Sequence, residues 1–276
     1  SMTKISTPPW PNFDEEEIEA VNQELRSGKV NYWTGNHGKL FEAEFAKYHG
    51  MKYAIALANG TLALELALSS FNIGNGDEVI VPDLTFVACP NSVEATGAKP
   101  ILVDIEKNAL NLDLNKISKS VSKKTRAIMP VDFNGRPVDL KILREFVDKK
   151  DIMLIEDAAH AIGCYYNKKH LGTTSDIGIF SFSTPKIITT GQGGMIVTNN
   201  KTLYERCCEL KDFGRKRFIS ISDIREYFGD EFAQQVQRSQ ASQIKQPFAL
   251  RKELTEGEKL HKPREAILAG YALKLL

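Results

Sequence analysis

Apolar residues along this chain come mostly in short unbroken runs, and helix-like stretches lie between them. Residues 14–27 (DEEEIEAVNQELRS) predict a helix opened by acidic side chains, which suit its positive end. A loop containing NYWTGNHG follows, and residues 38–49 predict a second helix. KYAIALANGT at 52–61 is a short apolar run ending in Asn-Gly-Thr, and LALELALSSF at 62–71 continues with strong helix formers. DEVIVPD at 77–83 predicts a strand and ACPNSVEATG at 88–97 a helix. KPILVDI (99–105), RAIMPVDF (126–133) and DIMLIEDA (151–158) are further apolar runs, with a helix predicted at 141–150 (KILREFVDKK). Most of these runs alternate too little for a half-exposed sheet. The pattern is that of an α/β layer with a mainly parallel sheet.

Residues 176–198 (DIGIFSFSTPKIITTGQGGMIVT) differ, because two β-rich runs flank a loop holding Pro185, Lys186 and three glycines. A hairpin-like pair is expected there. Beyond about residue 215 the chain turns polar and rich in Gln, Lys, Glu and Arg, and it reads as helices with weak apolar faces. A domain boundary is expected near 210–220. The organisation is therefore a large domain over 1–215, with an N-terminal arm, and an atypical C-terminal segment over 216–276.

Composition narrows the function. The 276 residues, 42% of them hydrophobic, suffice for one large core or for a large domain with a smaller appendage. With 36 Lys and Arg against 35 Asp and Glu, overall charge gives no footprint for nucleic acid or an anionic membrane. Apolar stretches such as IMLI at 152–155 are far too short to cross a bilayer. The opening Ser-Met reads as an expression remnant, and no apolar block of a signal peptide follows. Cys89, Cys164, Cys207 and Cys208 match no metal-binding spacing. A reduced, cytoplasmic protein is expected.

Four places carry candidate chemistry. At Asn59-Gly60-Thr61 a strand ends, a glycine allows a tight turn and a hydroxyl residue opens a helix. Free N–H groups there suit a phosphate, although an ordinary N-cap would look the same. Asp157 ends an apolar strand, where a parallel sheet presents its ligand-facing loops. It would either cap the next turn or pair with a buried cation, and His160 lies three residues on. Lys186 stands between apolar strands, and a lysine in an apolar site has a lowered pKa and attacks aldehydes well. Ser181 and Ser183 share one face of the strand before it, alternating with Phe180 and Phe182. With Phe86 after an earlier strand, the ordered set contains each part that pyridoxal phosphate (PLP) chemistry needs.

On these residues the chain resembles the DegT/DnrJ/EryC1/StrS family of PLP-dependent sugar aminotransferases. The matching stretches are NYWTG, ANGTLALELAL (58–68), GDEVIVPDLTFVA (76–88), IEDAAHAIG (155–163), SDIGIFSFSTPKIITTGQGGMIVTNN (175–200) and LKDFGR (210–215). The resemblance implies an aspartate-aminotransferase-like large domain, PLP fold type I. It implies Lys186 as the Schiff-base lysine and proton carrier, and Asp157 as the partner of the pyridine nitrogen. His160 would lie near the ring oxygen, Gly60, Thr61 and Ser181 would hold the phosphate, and Phe86 would stack on the ring. It further implies a homodimer that moves an amino group from glutamate to a nucleotide-linked keto-sugar, in amino-sugar and polysaccharide biosynthesis. The segment from 216 departs from the family pattern, as a diverged or truncated tail would, which keeps open a catalytically impaired, regulatory relative. A PLP-type sugar dehydratase characteristically has histidine in place of the lysine, so Lys186 argues against that alternative.

Overall fold

The structure is a computed structural model that describes residues 9–214, 225 and 229–234. Helix α1 (Glu15–Ser27) starts at a capping box in which Asp14 and Glu17 each take the other's backbone N–H, and it ends at Gly28 in the left-handed region. Helix α2 (His37–His49) follows, then strand β1 (Tyr53–Leu57) and helix α3 (Gly60–Ser70). The alternation continues through β2 (Glu78–Pro82), α4 (Ala88–Ala95), β3 (Lys99–Val103), α5 (Leu114–Ser120), β4 (Thr125–Ile128), α6 (Leu140–Asp148) and β5 (Met153–Asp157). A two-residue pair, β6 (Tyr165–Tyr166) and β7 (Lys169–His170), precedes β8 (Ile177–Ser181), β9 (Gly194–Thr198) and α7 (Lys201–Lys211).

Seven strands form one sheet in the order β1-β9-β8-β5-β4-β2-β3. Pairs β3–β2, β2–β4, β4–β5 and β5–β8 are parallel, whereas β9 runs antiparallel to both β8 and β1. The reversed strand is the return arm of the hairpin expected around Lys186. The run 126–133 yields a strand of only four residues. Pro130 has no N–H to donate, so beyond Ile128 the ladder thins to a single bridge between Val131 and Asp157. Helix α5, helix α7 and the β6–β7 pair were not anticipated from the sequence.

Period-two alternation sorts the sheet into two faces. Ile80, Ile128, Leu154, Phe180, Met195 and Val197 join one core cluster with Phe45 of α2, Ile117 of α5 and Leu143 of α6. Their strand neighbours, including Val79, Val81, Ile155, Ile179 and Ile196, are also fully buried and face the other way. That second face is covered by α3 and α4, which touch β8, β9, β2 and β3. Asp157 shares the parity of Ile155, and Ser181 that of Ile179, so both polar side chains face the α3/α4 layer.

By internal contacts the chain divides into two units, Ser1–Tyr204 and Glu205–Leu276. The first holds the whole sheet. In the second, the described residues are the end of α7, the turn at 212–214, Arg225 and a segment that is helical over 230–234. Most of the weakly amphipathic helices expected over 216–276 lie outside the described residues.

One buried histidine gives the fold a pH signature. His49 closes α2 with its Nδ1–H donating to the Phe45 carbonyl at 3.0 Å, and its ring lies 4.8 Å from both Phe180 and His170. Burial lowers its pKa from 6.5 to about 4; the Phe45 bond opposes this and the His170 charge adds to it. Between those values the unfolded chain takes a proton that the folded chain refuses, so His49 makes stability fall as pH drops from 6.5 towards 4. Urea midpoints measured across that window should lose part of their slope in His49→Phe. An unchanged slope would contradict the burial of a neutral ring.

Candidate active site

The site lies at the carboxyl ends of β1, β5 and β8, and each contributes a different chemistry. After β1 the chain reaches Asn59, whose extended backbone and side chain cap α3: Oδ1 accepts the Leu62 N–H at 2.9 Å and the carbonyl accepts that of Ala63 at 3.2 Å. The two earlier N–H groups, of Gly60 and Thr61, have no intrahelical acceptor and stand at the positive end of the helix. Gly60 is not in the left-handed region, so the tight turn expected of it is not its role. A Cβ there would sit 3.0 Å from the Ser181 Cβ and 3.3 Å from its Oγ. A larger residue would be crowded there, because helix start and strand end pack backbone against side chain.

Strand β5 ends in Asp157, which is only 6% exposed. Its Oδ1 accepts the Ala159 N–H and its Oδ2 accepts the Cys89 thiol, both at 3.0 Å. On the opposite face of the same strand Glu156 is fully buried and accepts the Gly172 N–H at 2.6 Å and that of Thr174 at 3.3 Å. Next to it Asp132 is buried, its carboxyl group facing that of Glu156. Burial, then the Glu156 and Asp157 charges, hold Asp132 well above the usual carboxylate range, so it carries a proton. Asp157 therefore has two further carboxyl groups behind it, and sequence reasoning identified neither.

The β8–β9 hairpin delivers Ser181 and Lys186. Phe182 and Gly193 close its neck, with the Phe182 N–H donating to the Gly193 carbonyl at 2.8 Å. Gly191 bends the loop in the left-handed region at φ 77°. Gly194 is constrained sterically, since any Cβ would overlap the Asn59 carbonyl. In the loop the Lys186 N–H donates to the Ser183 carbonyl at 2.9 Å, and the Trp10 indole donates to the Thr184 carbonyl at 2.7 Å. Burial lowers the Lys186 ammonium pKa, while the charge of Asp157 opposes that shift. The pKa of His160 is also lowered, by burial first and then by the Lys186 charge, and its buried Nδ1 has no hydrogen-bond partner.

Gly60, Thr61, Phe86, Asp157, His160, Ser181 and Lys186 all line one cavity of about 650 Å³. Phe86 stands at its edge, 67% exposed. Asn59, Thr85, Phe133 and Gln192 line it too. Sequence reasoning missed them as lining residues, although the first three lie within a few residues of strand ends, where such residues are to be sought. A second cavity of about 440 Å³ adjoins it and adds Asn134, Ile162 and Ile187. Ala159, His160, Pro185 and Lys186 line both.

The model of the DegT/DnrJ/EryC1/StrS aminotransferase family matches residues 11–266. The chain belongs to this family. The match runs past residue 215, where the resemblance read from the motifs stops. A GDP-perosamine synthase from Escherichia coli O157:H7 is 43% identical over 204 residues, covering 74% of this chain and 56% of that protein. The solved aminotransferase from Psychrobacter cryohalolentis superposes with a TM-score of 0.75 at 41% identity, over 76% of this chain and 53% of that one. A sugar aminotransferase from Streptococcus pneumoniae solved in its PLP form gives a TM-score of 0.70 at 30% identity, over 74% and 58%. The chain spans about half the length of the curated relatives it matches. The sheet is that of PLP fold type I, and PLP is the family's cofactor.

The cavity's residues fit that cofactor. Helix-start N–H groups with the Thr61 and Ser181 hydroxyls suit a phosphate, a buried carboxylate suits a protonated ring nitrogen, and a lysine with a lowered pKa suits an aldehyde. Lys186 should be the first lysine to accept methyl groups from formaldehyde and a mild hydride donor as pH is raised, because burial lowers its pKa and more of it is neutral. Peptide mapping that found Lys186 labelled no sooner than exposed lysines would contradict its lowered pKa.

Proposed function

We propose that this chain carries the cofactor-binding part of an aminotransferase that uses PLP to move an amino group from glutamate onto a nucleotide-linked keto-sugar. The observation that carries the reading is the position of Lys186, which lines both adjoining cavities together with His160. One cavity holds the phosphate donors and the carboxylate; the other gives a substrate a place against the same amine. Relatives named GDP-perosamine synthase support a nucleotide-linked sugar as the acceptor.

When bound, PLP supplies an aldehyde that takes up the amino group and a ring that withdraws electrons. The protein's residues do the rest. Gly60, Thr61 and Ser181 hold the phosphate, and Phe86 covers the ring. Asp157 keeps a proton on the ring nitrogen, which strengthens the electron withdrawal. Lys186 Nζ, when free and neutral, would take the proton from the donor's α-carbon and return it on the cofactor side. Over a full cycle glutamate leaves as its keto acid, and the sugar's carbonyl oxygen leaves as water. His160, which lines the same cavity, would stand beside the ring.

The working unit in this reading is a cytoplasmic homodimer. Helix α1 buries none of its residues and leaves Ile18, Val21 and Leu25 exposed, which supports a covering partner. Residues 1–215 are the cofactor-binding large domain in this reading, and residues 216–276 an atypical C-terminal segment.

Borohydride reduction of the PLP-loaded protein should fix the cofactor on Lys186, as read by mass spectrometry of its peptides, and an adduct on any other lysine would sink the assignment. Asp157→Asn should slow amino transfer by at least about a hundredfold, the scale on which an electrostatic stabiliser acts. A near-normal rate would mean that this carboxylate only caps its turn.

A further inference from the structure

Asp157 receives a hydrogen bond from a side chain that is distant in sequence and does not line the cavity. Cys89 lies in the first turn of α4 with no exposed surface, 68 residues from Asp157 along the chain. Its thiol donates to Asp157 Oδ2 at 3.0 Å, and its sulfur accepts the Thr85 hydroxyl at 3.2 Å. Thr85 lines the larger cavity, so a continuous path runs from the cavity wall through a buried thiol to the buried carboxylate. The other carboxylate oxygen is held from a different direction by the Ala159 N–H at 3.0 Å. Two donors on two oxygens fix the plane of the carboxylate. Its remaining lone pairs are then available to the cavity.

We infer that Cys89 is a positioning residue, whose S–H, oriented by Thr85, holds the Asp157 carboxylate in the plane it needs to pair with the cofactor's ring nitrogen. The inference rests on the functional reading above. Outer partners of this kind commonly set the orientation of a ligand-binding group, and losing one costs affinity without removing the ligand's direct contacts. Packing alone does not explain the geometry, because alanine would fill nearly the same space and leave Oδ2 without a donor. The thiol is also suited to remain a donor: burial, followed by the Asp157 charge, pushes its pKa well above the ordinary thiol value. Cys89 is therefore protonated across the working pH range. Its role is to hold a proton between sulfur and oxygen, and it does not act as a nucleophile.

Two variants of the full chain separate positioning from packing. Cys89→Ser keeps an oriented donor and Cys89→Ala removes it, with little change in volume. Titration with PLP, followed by cofactor absorbance, should show Cys89→Ala binding about tenfold more weakly and Cys89→Ser close to the unaltered protein, as loss of a bond to a charged group implies. In the cofactor-free protein, the infrared S–H stretch that disappears in Cys89→Ser should shift to higher frequency in Asp157→Asn, where the acceptor is no longer charged. If both Cys89 variants bind PLP like the unaltered chain, or lose affinity equally, Cys89 is a packing residue and the inference is overturned while the functional reading stands. An S–H band indifferent to Asp157→Asn overturns it as well. If the unaltered chain binds no PLP at all, the functional reading fails and takes this inference with it.

Discussion

A carboxylate buried at the end of a central strand has to be compensated, and much of this structure can be understood from how Asp157 is. A charge removed from water is costly unless hydrogen bonds or an opposite charge replace the hydration. Here the replacement comes from three elements. The turn after β5 supplies the Ala159 N–H, α4 supplies the Cys89 thiol, and the β8–β9 loop supplies the Lys186 charge. Alternation along β5 directs Asp157 to the α3/α4 side, while Glu156 on the other side ties down Gly172 and Thr174. The strand is thus anchored by one carboxylate and left with the other for chemistry.

The same requirement explains the glycines near the site. Lys186 reaches the cavity in a hairpin that packs directly against the start of α3, where a side chain would overlap backbone at Gly194 and be crowded at Gly60. Gly194 lies under the Asn59 carbonyl, and Gly60 lies against Ser181. Backbone approach at these two points brings phosphate-suited N–H groups, a serine hydroxyl and the lysine loop into one cavity. The close packing that defines the fold is therefore also what assembles the site.

Much of this was legible in the chain itself, because continuous apolar runs with capped helices between them leave few alternatives to a parallel sheet. Asp157 could be singled out because it ends an apolar strand, and Lys186 because it stands in a loop between two apolar strands. What escaped had physical reasons. Helix α5 is two turns long with Ile117 its single buried residue, which is too little periodicity to read. The β6–β7 pair has two residues on each arm. Pro130 cut short a run whose apolar character promised a longer strand. Gly60 was noticed for the wrong reason, since its neighbour Ser181 is far away in sequence. Cys89 drew notice only as one of four cysteines without a metal-binding spacing, because its partner is likewise distant. Contacts of this kind exist only once the chain has folded.

The proposed function requires that one cavity bring the Lys186 amine and the Asp157 carboxylate to a single PLP molecule. A crystal structure of the full chain loaded with PLP tests it most directly. Electron density should run without a break from Lys186 Nζ into the cofactor, with the ring nitrogen within hydrogen-bond distance of an Asp157 oxygen and the phosphate at the Gly60–Thr61 helix start. A cofactor bound elsewhere, or one bound in this cavity with its phosphate towards Asp157, would contradict it.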